Sequence, residues 1–395
     1  MNFTYVENES SAKIKVIGIG GAGGNAINNM VDSNLLGVEF IAANTDAQAL
    51  DISKAPTKIQ IGAKLTEGLG AGANPNIGRD AAIENTDAIK KALEGSHMVF
   101  LTAGFGGGTG TGATPVIAEI CKEFGALTVA VISKPFSFEG KKRAKQAEEG
   151  IDNLKDVADT VITIPNDRLR GIAPKNAKML EMFKKADEIL HHSVKGITDL
   201  IMVPGLVNLD FADVRTTMSK AGMALMGIGI ASGENRATEA AERAISHPLL
   251  EDFSISGAKG VLMNITCTSE MTLDEMTEAS DRIHEEVGDD AEIIWGQAID
   301  ENLGDEMRVT VIATGIDSKK ESIKQQRQDA GILRGKVRDI TAEDLRSASA
   351  FEEPTFIRQK EAVGESGGAT YKGFKGVVLD NDDLDVPTFL RRKAD

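Results

Sequence analysis

Short apolar runs alternate with helical patterns over the first part of the chain. Their residues are mainly Val, Ile and Ala, and the five runs are AKIKVIGIG (12–20), VEFIAANT (38–45), HMVFLTAG (97–104), ALTVAVISKP (126–135) and ADTVITIPND (158–167). Continuous apolar runs of this length are typical of strands buried on both faces, and helical sequence between them favours parallel pairing. The pattern predicts a doubly wound parallel α/β sheet, as in Rossmann-like nucleotide-binding domains, over residues 12–175.

A single long helical pattern follows this region. Apolar residues recur every three or four positions from about Lys175 to Val203, until Pro204 and Gly205 end the pattern. At about 1.5 Å per residue, about 25–28 helical residues would span roughly 40 Å, the height of a domain. We therefore assign 176–222 to a central helix and the acidic loop that follows it.

Four further apolar runs predict a second, smaller α/β domain over residues 223–316. They are ALMGIGIASG (224–233), GVLMNITCTS (260–269), AEIIWGQAI (291–299) and MRVTVIATGI (307–316). Sequence rich in Ala, Glu and Arg lies between them and favours helices.

Both ends of the chain lack this periodicity. We expect 1–11 to be flexible and 317–376 to be a disordered linker, because both are polar or charged. Within 377–395 an acidic run (380–385) precedes the apolar VPTFL and the basic RRK, which fits either a docking peptide or an ordinary disordered terminus.

No stretch of the sequence approaches the roughly 20 apolar residues of a membrane span, so any membrane association would have to come from a partner.

Charge and cysteine content exclude several classes of protein. The net charge of -16 argues against binding nucleic acid through an extended phosphate contact, which needs a basic face. Cys121 and Cys267 are far apart, as expected for free thiols in a reducing cytoplasm. The adjacent His191 and His192 would point to different helix faces, so we expect no metal site built from protein side chains.

A glycine-rich loop follows the first predicted strand. Gly18, Gly20 and Gly23 match G-x-G-x-x-G, in which glycines let the backbone approach a phosphate at a helix N-terminus. Asp46 lies near the end of the second strand, where a dinucleotide-binding protein has its ribose-binding acid. This loop alone therefore also fits a nicotinamide-dependent oxidoreductase.

Two further glycine clusters favour a site for several phosphates. They are GFGGGTGTG at 104–112 and GLGAGANPNIG at 68–78, and a dinucleotide fold needs only one such loop. An ordinary P-loop is disfavoured because G-x-x-x-x-G-K-[ST] is absent. After the 104–112 cluster we expect a helix with Thr114 as its N-cap, Pro115 at its first position and Gly125 past its end.

An acidic group stands just beyond the long helix. Asn208, Asp210 and Asp213 could polarise a water for attack on a γ-phosphate. If the long helix begins beside the nucleotide, these side chains lie roughly 40 Å from their own site and could act only on a neighbour's nucleotide. Asp210 could instead be the N-cap of the following helix.

The sequence resembles the FtsZ family of bacterial, tubulin-like cell-division GTPases. GGGTGTG at 106–112 is the tubulin-superfamily signature in its FtsZ form. Other matching segments are GIGGAGGNAI (18–27), NTDAQAL (44–50), KPFSFEGKKR (134–143), PNDRL (165–169), PGLVNLDFADVR (204–215) and ISGAKGVLMNIT (255–266), and VPTFLRRKAD (386–395) is similar to the family's adaptor-binding peptide. The resemblance covers about residues 12–316.

This resemblance implies a GTP/GDP site with Mg²⁺ bound through phosphates and water. It implies that Glu139 and Arg143 lie at the ribose and phosphate side, that Asn166 and Asp187 recognise guanine, and that Phe183 stacks nearby. The other expected GTP-binding residues, called the predicted cradle below, are Gly20, Gly21, Gly23, Gly24, Asn25, Asn44, Gly72, Ala73, Gly106, Gly107, Gly108, Thr109, Gly110, Thr111 and Gly112. Of these, Gly21, Gly24, Asn25, Gly107, Gly108, Thr109 and Gly110 are expected to hold the phosphates.

The resemblance also implies head-to-tail filaments that form a ring at midcell on the inner face of the membrane. Asp210, Asp213 and Asn208 would then catalyse GTP hydrolysis in trans. Residues 380–395 would bind membrane-tethering adaptors such as FtsA, with no direct membrane insertion and no nucleic-acid partner. A non-hydrolysing scaffold of the same fold is the remaining alternative, and the presence of Asp210 and Asp213 argues against it.

Overall fold

A computed structural model describes residues 12–172, 177–202, 210–219, 222–250, 255, 257–288 and 291–316. The strands are β1 Ile14–Ile19, β2 Val38–Asn44, β3 Thr57–Gln60, β4 Met98–Gly104, β5 Leu127–Lys134, β6 Thr160–Pro165, β7 Gly222–Ser232, β8 Gly260–Cys267, β9 Glu292–Ile299 and β10 Glu306–Thr314. The helices are α1 Gly20–Asp32, α2 Ala47–Asp51, α3 Ala63–Thr66, α4 Pro75–Glu84, α5 Thr86–Leu93, α6 Thr109–Glu123, α7 Lys141–Lys155, α8 Asn166–Ile172, α9 Met179–Met202, α10 Phe211–Met218, α11 Arg236–Ile245 and α12 Leu273–Val287. The predictions for 1–11, for Asn208 and for 317–376 and 377–395 lie outside the described residues.

One ten-stranded sheet runs through the structure in the order β3-β2-β1-β4-β5-β6-β7-β10-β8-β9. Its first six strands are parallel and have the doubly wound order of dinucleotide-binding folds, which confirms the predicted fold class. All nine predicted strands form. The additional strand, β3, was not predicted because only Ile59 of its four residues is buried.

Two apolar layers cover the first half of the sheet. On one face, Val16, Phe100 and Val129 pack with α1 and α9. On the opposite face, Ile17 and Leu101 pack with α4, α5, α6 and α7. Because both faces are covered, nearly every strand residue is buried, which explains the continuous apolar runs in the sequence.

The second half of the sheet joins the first through a short parallel contact between β6 and β7. Only residues 160–162 pair with 222–224, and β10 then runs antiparallel to both β7 and β8. The helices α11 and α12 cover one face of this half. Helix α9 packs against both halves, since its buried side chains share a core with Ile162 of β6 and Leu262 of β8.

The long helix α9 has 24 residues, which corresponds to about 36 Å. The structure therefore has the predicted central helix, slightly shorter than expected.

Within the described part of the chain, none of the helices combines the length and the apolar character that a membrane span needs.

The predicted start of the helix after the second glycine cluster is wrong. Helix α6 begins at Thr109, with Gly108 as its N-cap, and Pro115 lies inside it. The Thr114 hydroxyl donates to the Gly110 carbonyl (2.6 Å) instead of capping the helix. Glycines at 110 and 112 let the extra turn pack closely against neighbouring backbone, which local propensity does not encode. Gly125 does end the helix, with φ +69°.

Candidate nucleotide site

The two main glycine loops lie side by side at the point where the strand order reverses. Strands β1 and β4 are direct neighbours, with Ile19 paired to Ala103, and each is followed by one of the loops. In doubly wound sheets, ligands bind at this switch point, outside the carboxyl ends of the strands. The third glycine-rich stretch joins them, because a Cβ on Gly108 would lie 2.7 Å from the Ala71 side chain.

Two helix N-termini begin at this edge without a side-chain cap. Helix α1 has Ile19 as its N-cap and α6 has Gly108, and neither residue's side chain accepts a hydrogen bond from the first turn. The first N–H groups of a helix have no partner within the helix, and the helix dipole favours anions there. The edge therefore presents backbone donors suited to phosphate oxygens.

Four glycines of the predicted cradle face open space. Beyond the adjacent residues and the backbone of its own helix, a Cβ on Gly21, Gly24, Gly72 or Gly107 would have no heavy atom within 4 Å. Gly21 and Gly72 are exposed, and Gly24 and Gly107 are half-buried. These positions leave room for a ligand to approach the backbone closely.

Other glycines of the predicted cradle serve the packing of the loops. A Cβ on Gly23 would overlap the carbonyl of Thr102, and one on Gly110 would lie 2.6 Å from the carbonyl oxygen of Gly104. Gly112 packs against α4, and its N–H donates to the Gly108 carbonyl (3.0 Å) within the helix. Gly20 and Gly106 have φ of +72° and +100°, which favours glycine. Phosphate contact by these residues stays a prediction.

Hydroxyl groups hold the signature loop in shape. The Thr111 hydroxyl is buried and accepts a hydrogen bond from the Gly106 N–H (2.9 Å). The Thr109 and Thr45 hydroxyls lie 2.6 Å apart and link the loop to the end of β2. Thr45 was not among the predicted site residues, although it lies within the matching segment NTDAQAL. The neighbouring Asn44 is buried, and its side-chain oxygen accepts from the Asp46 N–H (3.3 Å).

The segment before α4 contains two successive left-handed residues. Gly72 and Ala73 have φ of +57° and +58°, and the conformation is uncommon for alanine. The Gln146 side chain, a contact that the sequence did not predict, donates to the Ala73 carbonyl (3.3 Å). Asn25, in the second turn of α1, is exposed. This strained segment and Asn25 therefore lie at the surface, where a ligand can reach them.

Glu139 and Arg143 form an ion pair beside the second loop. Arg143 Nη1 lies 2.6 Å from Glu139 Oε2, and Glu139 Oε1 accepts from the Phe136 N–H (2.9 Å). The backbone of Arg143 also approaches the signature loop, since its carbonyl oxygen lies 2.9 Å from where a Cβ on Gly106 would be. The pair is thus next to the loop, and its predicted role at the ribose remains a proposal.

Asn166, Phe183 and Asp187 come from α8 and α9. Asn166 is buried, and its side-chain oxygen has no hydrogen-bond partner among the described residues. Phe183 is 38% exposed and packs edge-on against Phe136, with ring centroids 5.4 Å apart. An unpaired buried amide oxygen and a partly exposed ring fit recognition of a planar base.

Burial raises the pKa of the Asp187 carboxyl to about 7, with a further contribution from the charge of Glu188. A guanine base would donate its N1–H and amino group to the ionised carboxylate, and protonation would remove that acceptor. In the unliganded protein the raised pKa also penalises folding progressively as the pH rises from about 4 towards 7.

We expect GTP affinity to increase about tenfold from pH 6 to pH 8, because only the ionised Asp187 accepts from the base. Nucleotide titrations across this range would measure the change. In the matched variant Asp187→Asn the affinity should be lower and nearly independent of pH. A wild-type affinity that stays constant between pH 6 and 8 would contradict the assignment.

Asp46 is the N-cap of α2. Its carboxylate accepts hydrogen bonds from the N–H groups of Gln48 (2.9 Å) and Ala49 (3.2 Å). The side chain therefore has a structural partner already, which weakens its assignment to a ribose in a nicotinamide-binding site.

The acidic residues lie at the opposite edge of the sheet. Asp210 is the N-cap of α10, and its carboxylate accepts from the Asp213 N–H (3.0 Å), while both side chains are exposed. The far end of α10 accepts a hydrogen bond from the Thr160 hydroxyl at the start of β6. The glycine loops, in contrast, follow the carboxyl ends of the parallel strands. The length of β4, seven residues or about 23 Å, separates the carboxyl ends of the strands from their amino ends.

The His191 and His192 rings are 5.4 Å apart on α9. Burial lowers the pKa of both imidazoles to about 4, so both are neutral at pH 7. No group of three or more His, Cys, Asp or Glu side chains arranged to bind a metal occurs in the part of the chain that the structure describes.

Both halves of the sheet match known proteins. Residues 13–174 match the GTPase domain of the tubulin/FtsZ family, and residues 222–317 match the C-terminal domain of the FtsZ family. Among solved structures, an FtsZ dimer from M. jannaschii shares 48% identity, covers 79% of this chain and 90% of its own, and has a TM-score of 0.76.

More distant structures share the fold. The CetZ2 protofilament from Haloferax volcanii, with bound GTPγS, has 20% identity and a TM-score of 0.66, covering 81% of this chain and 98% of its own. The M. jannaschii match extends over most of both chains at much higher identity. The chain therefore belongs to the FtsZ family of tubulin-like cell-division GTPases, and it binds and hydrolyses GTP.

Proposed function

We propose that this chain polymerises head to tail into the filaments of a cytokinetic ring and that each GTP is hydrolysed between two subunits. The observation that carries the proposal is the separation of the two chemical groups. The glycine loops lie at the carboxyl edge of the parallel strands, and Asp210 and Asp213 lie at the opposite edge. A single subunit therefore cannot bring its acids to its own phosphates.

In this proposal one subunit binds the nucleotide. The uncapped N-termini of α1 and α6 and the open-facing Gly21, Gly24 and Gly107 hold the phosphates. Asn166 and Asp187 recognise the base, and Glu139 and Arg143 contact the ribose side. Phosphate oxygens and water would hold Mg²⁺, which neutralises phosphate charge.

The neighbouring subunit supplies the acids. Asp210 and Asp213, with Asn208 outside the described residues, orient a water for in-line attack on the γ-phosphorus and accept its proton. The bond between the γ-phosphorus and the bridging oxygen breaks, which yields GDP and inorganic phosphate. The exposed carboxylates of Asp210 and Asp213 are accessible to a neighbour's nucleotide.

A contact between two different surfaces of the same chain is heterologous. Such a contact gives an open filament when the rotation between subunits does not close a ring of subunits. Polymerisation and hydrolysis would then share one interface. This arrangement predicts that the isolated subunit has an incomplete hydrolytic site.

GTP turnover per molecule is expected to rise steeply above a threshold protein concentration, because assembly completes each site. Phosphate release measured over a dilution series, with light scattering on the same samples, would test this. The rise in turnover should coincide with the appearance of polymer. Turnover per molecule that stays constant down to dilute monomer would exclude hydrolysis between subunits.

We further propose that residues 380–395 recruit membrane-tethering adaptors such as FtsA and that the chain works in the cytoplasm at midcell. The support is the sequence pattern of an acidic run, an apolar VPTFL and a basic RRK. Truncation after Ile316 should leave GTP turnover nearly unchanged and abolish membrane recruitment. Recruitment of the truncated chain by the same adaptors would refute this role.

A further inference from the structure

Helix α10, which carries Asp210 and Asp213, is attached to the sheet at both of its ends. At its C-terminal end, the Thr160 and Thr314 hydroxyls donate to the carbonyls of Met218 and Thr217, the second at 3.2 Å. Val214 and Met218 are also fully buried. This end is therefore fixed by several independent contacts.

Within α10, Arg215 forms a long-range hydrogen bond to the backbone just past the end of α6. Arg215 Nη2 donates to the Gly125 carbonyl (3.2 Å), 90 residues away in sequence. Gly125 follows Phe124, the C-cap of α6. The Arg215 side chain is exposed, so this hydrogen bond buries little of its surface.

A second contact joins the first residue of α10 to the start of β4. The Phe211 and His97 rings are tilted by 53° with centroids 6.2 Å apart. His97 is held in turn, since its Nδ1 accepts from the Lys13 N–H (2.9 Å). The next residue, Met98, begins β4.

Two of the contacts of α10 lead to the elements that flank the signature loop. Strand β4 ends at Gly104, and α6 begins at Thr109. Each element spans about 22–23 Å. The residues that contact α10, His97 and Gly125, lie just beyond the ends of β4 and α6 that are far from the loop.

We propose that Arg215 is a positioning residue for hydrolysis. By binding the Gly125 carbonyl it orients the N-terminal half of α10, so that Asp210 and Asp213 meet the neighbour's nucleotide in the productive geometry. The elements that bind a subunit's own phosphates thereby set the orientation of the acids that it presents to the next subunit. This inference rests on hydrolysis between subunits, and it adds a residue that acts through the orientation of α10.

The test uses mixtures in which each variant has one fixed role. A Gly107→Asp subunit lacks nucleotide and can only donate acids, whereas an Asp213→Ala subunit can only hold GTP. Arg215→Ala is added to the donor in one mixture and to the acceptor in the other. We expect GTP turnover at saturating GTP to fall about three- to tenfold in the first mixture, the effect of one hydrogen bond that orients a reacting group, and to stay unchanged in the second.

This asymmetry separates positioning from stability, because a destabilised fold would lower turnover in both mixtures. Arg215→Lys in the donor should restore part of the loss, since a lysine can also donate to the Gly125 carbonyl. Equal turnover with and without the Arg215→Ala change in the donor would overturn the inference while leaving hydrolysis between subunits intact. Absence of turnover in the parent mixture would instead remove the proposed function itself.

A direct contact of Arg215 with the neighbour's nucleotide would also give a donor-specific loss. The variant His97→Ala distinguishes these two explanations. It removes the ring contact with Phe211 by changing a residue that lies outside α10. If hydrolysis requires α10 to be oriented, His97→Ala in the donor also lowers turnover. The loss in the donor that carries both His97→Ala and Arg215→Ala then differs from the product of the two single losses, because both changes act on the same helix. Independent effects that multiply would contradict a shared positioning role.

Discussion

Mixing two inactive variants is expected to restore GTP hydrolysis. Gly107→Asp places a negative charge at the proposed phosphate site, where a Cβ on Gly107 would meet no heavy atom within 4 Å beyond the adjacent residues. Asp213→Ala removes a carboxylate at the opposite edge. An Asp213→Ala subunit that holds GTP can receive intact acids from a Gly107→Asp neighbour, so each mixed pair contains one complete site.

Phosphate release from the mixture should exceed the sum of the two separate rates by at least about tenfold, because each variant alone lacks one half of every site. Gly107 is a better position than Gly108 for this experiment. A Cβ on Gly108 would lie 2.9 Å from the Asn74 backbone nitrogen and would disturb the loop itself. Circular dichroism and co-sedimentation with GTP-bound partner are the controls. If both controls pass and mixing adds no activity, the acids do not act in trans.

Two alanine variants of the predicted cradle should have opposite consequences. Gly112→Ala is expected to lower the free energy of unfolding by roughly 1–3 kcal/mol, because the new Cβ overlaps the Pro75 carbonyl and lies 2.6 Å from the Arg79 backbone nitrogen. Both atoms belong to the backbone, so the clash is relieved only by moving α4 away from α6. Denaturant unfolding without nucleotide measures this effect.

Gly21→Ala is the matched variant at an open position. Its Cβ meets no protein atom, so the free energy of unfolding should change by less than about 1 kcal/mol. The methyl group stands where a phosphate would approach the backbone, and GTP affinity should fall at least about tenfold, equivalent to 1.4 kcal/mol. Equal stability of the two variants would show that the division between packing and open-facing glycines is wrong.

Much of the fold could be predicted from the sequence. The main strands of the doubly wound sheet and the long helix α9 were predictable because the spacing of apolar residues is a local property of the chain. The glycine loops and the acidic group were also visible as residue patterns, whereas the resemblance supplied their expected roles. Strand β3 escaped because an edge strand with one buried residue leaves almost no periodic signal.

The outcomes that depended on tertiary contacts were less predictable. Helix α6 begins well before the predicted first position, Pro115, because the glycines at 110 and 112 pack against backbone from β4 and α4. Asp210 proved to be the N-cap of α10, which the sequence had left open. Neither the Thr109–Thr45 contact nor the Arg215–Gly125 hydrogen bond has a local signature.

The sequence by itself determined the nine main strands and the long helix α9, and where glycine permits close approach of the backbone. Only the tertiary structure decided which glycines face open space and which face their own protein. The physical reason is that hydrophobic periodicity depends on neighbours two to four residues away. The space around Gly107 or Gly112 depends instead on atoms from other elements, such as the Pro75 carbonyl, whose approach is set by the packing of the whole sheet and its helices.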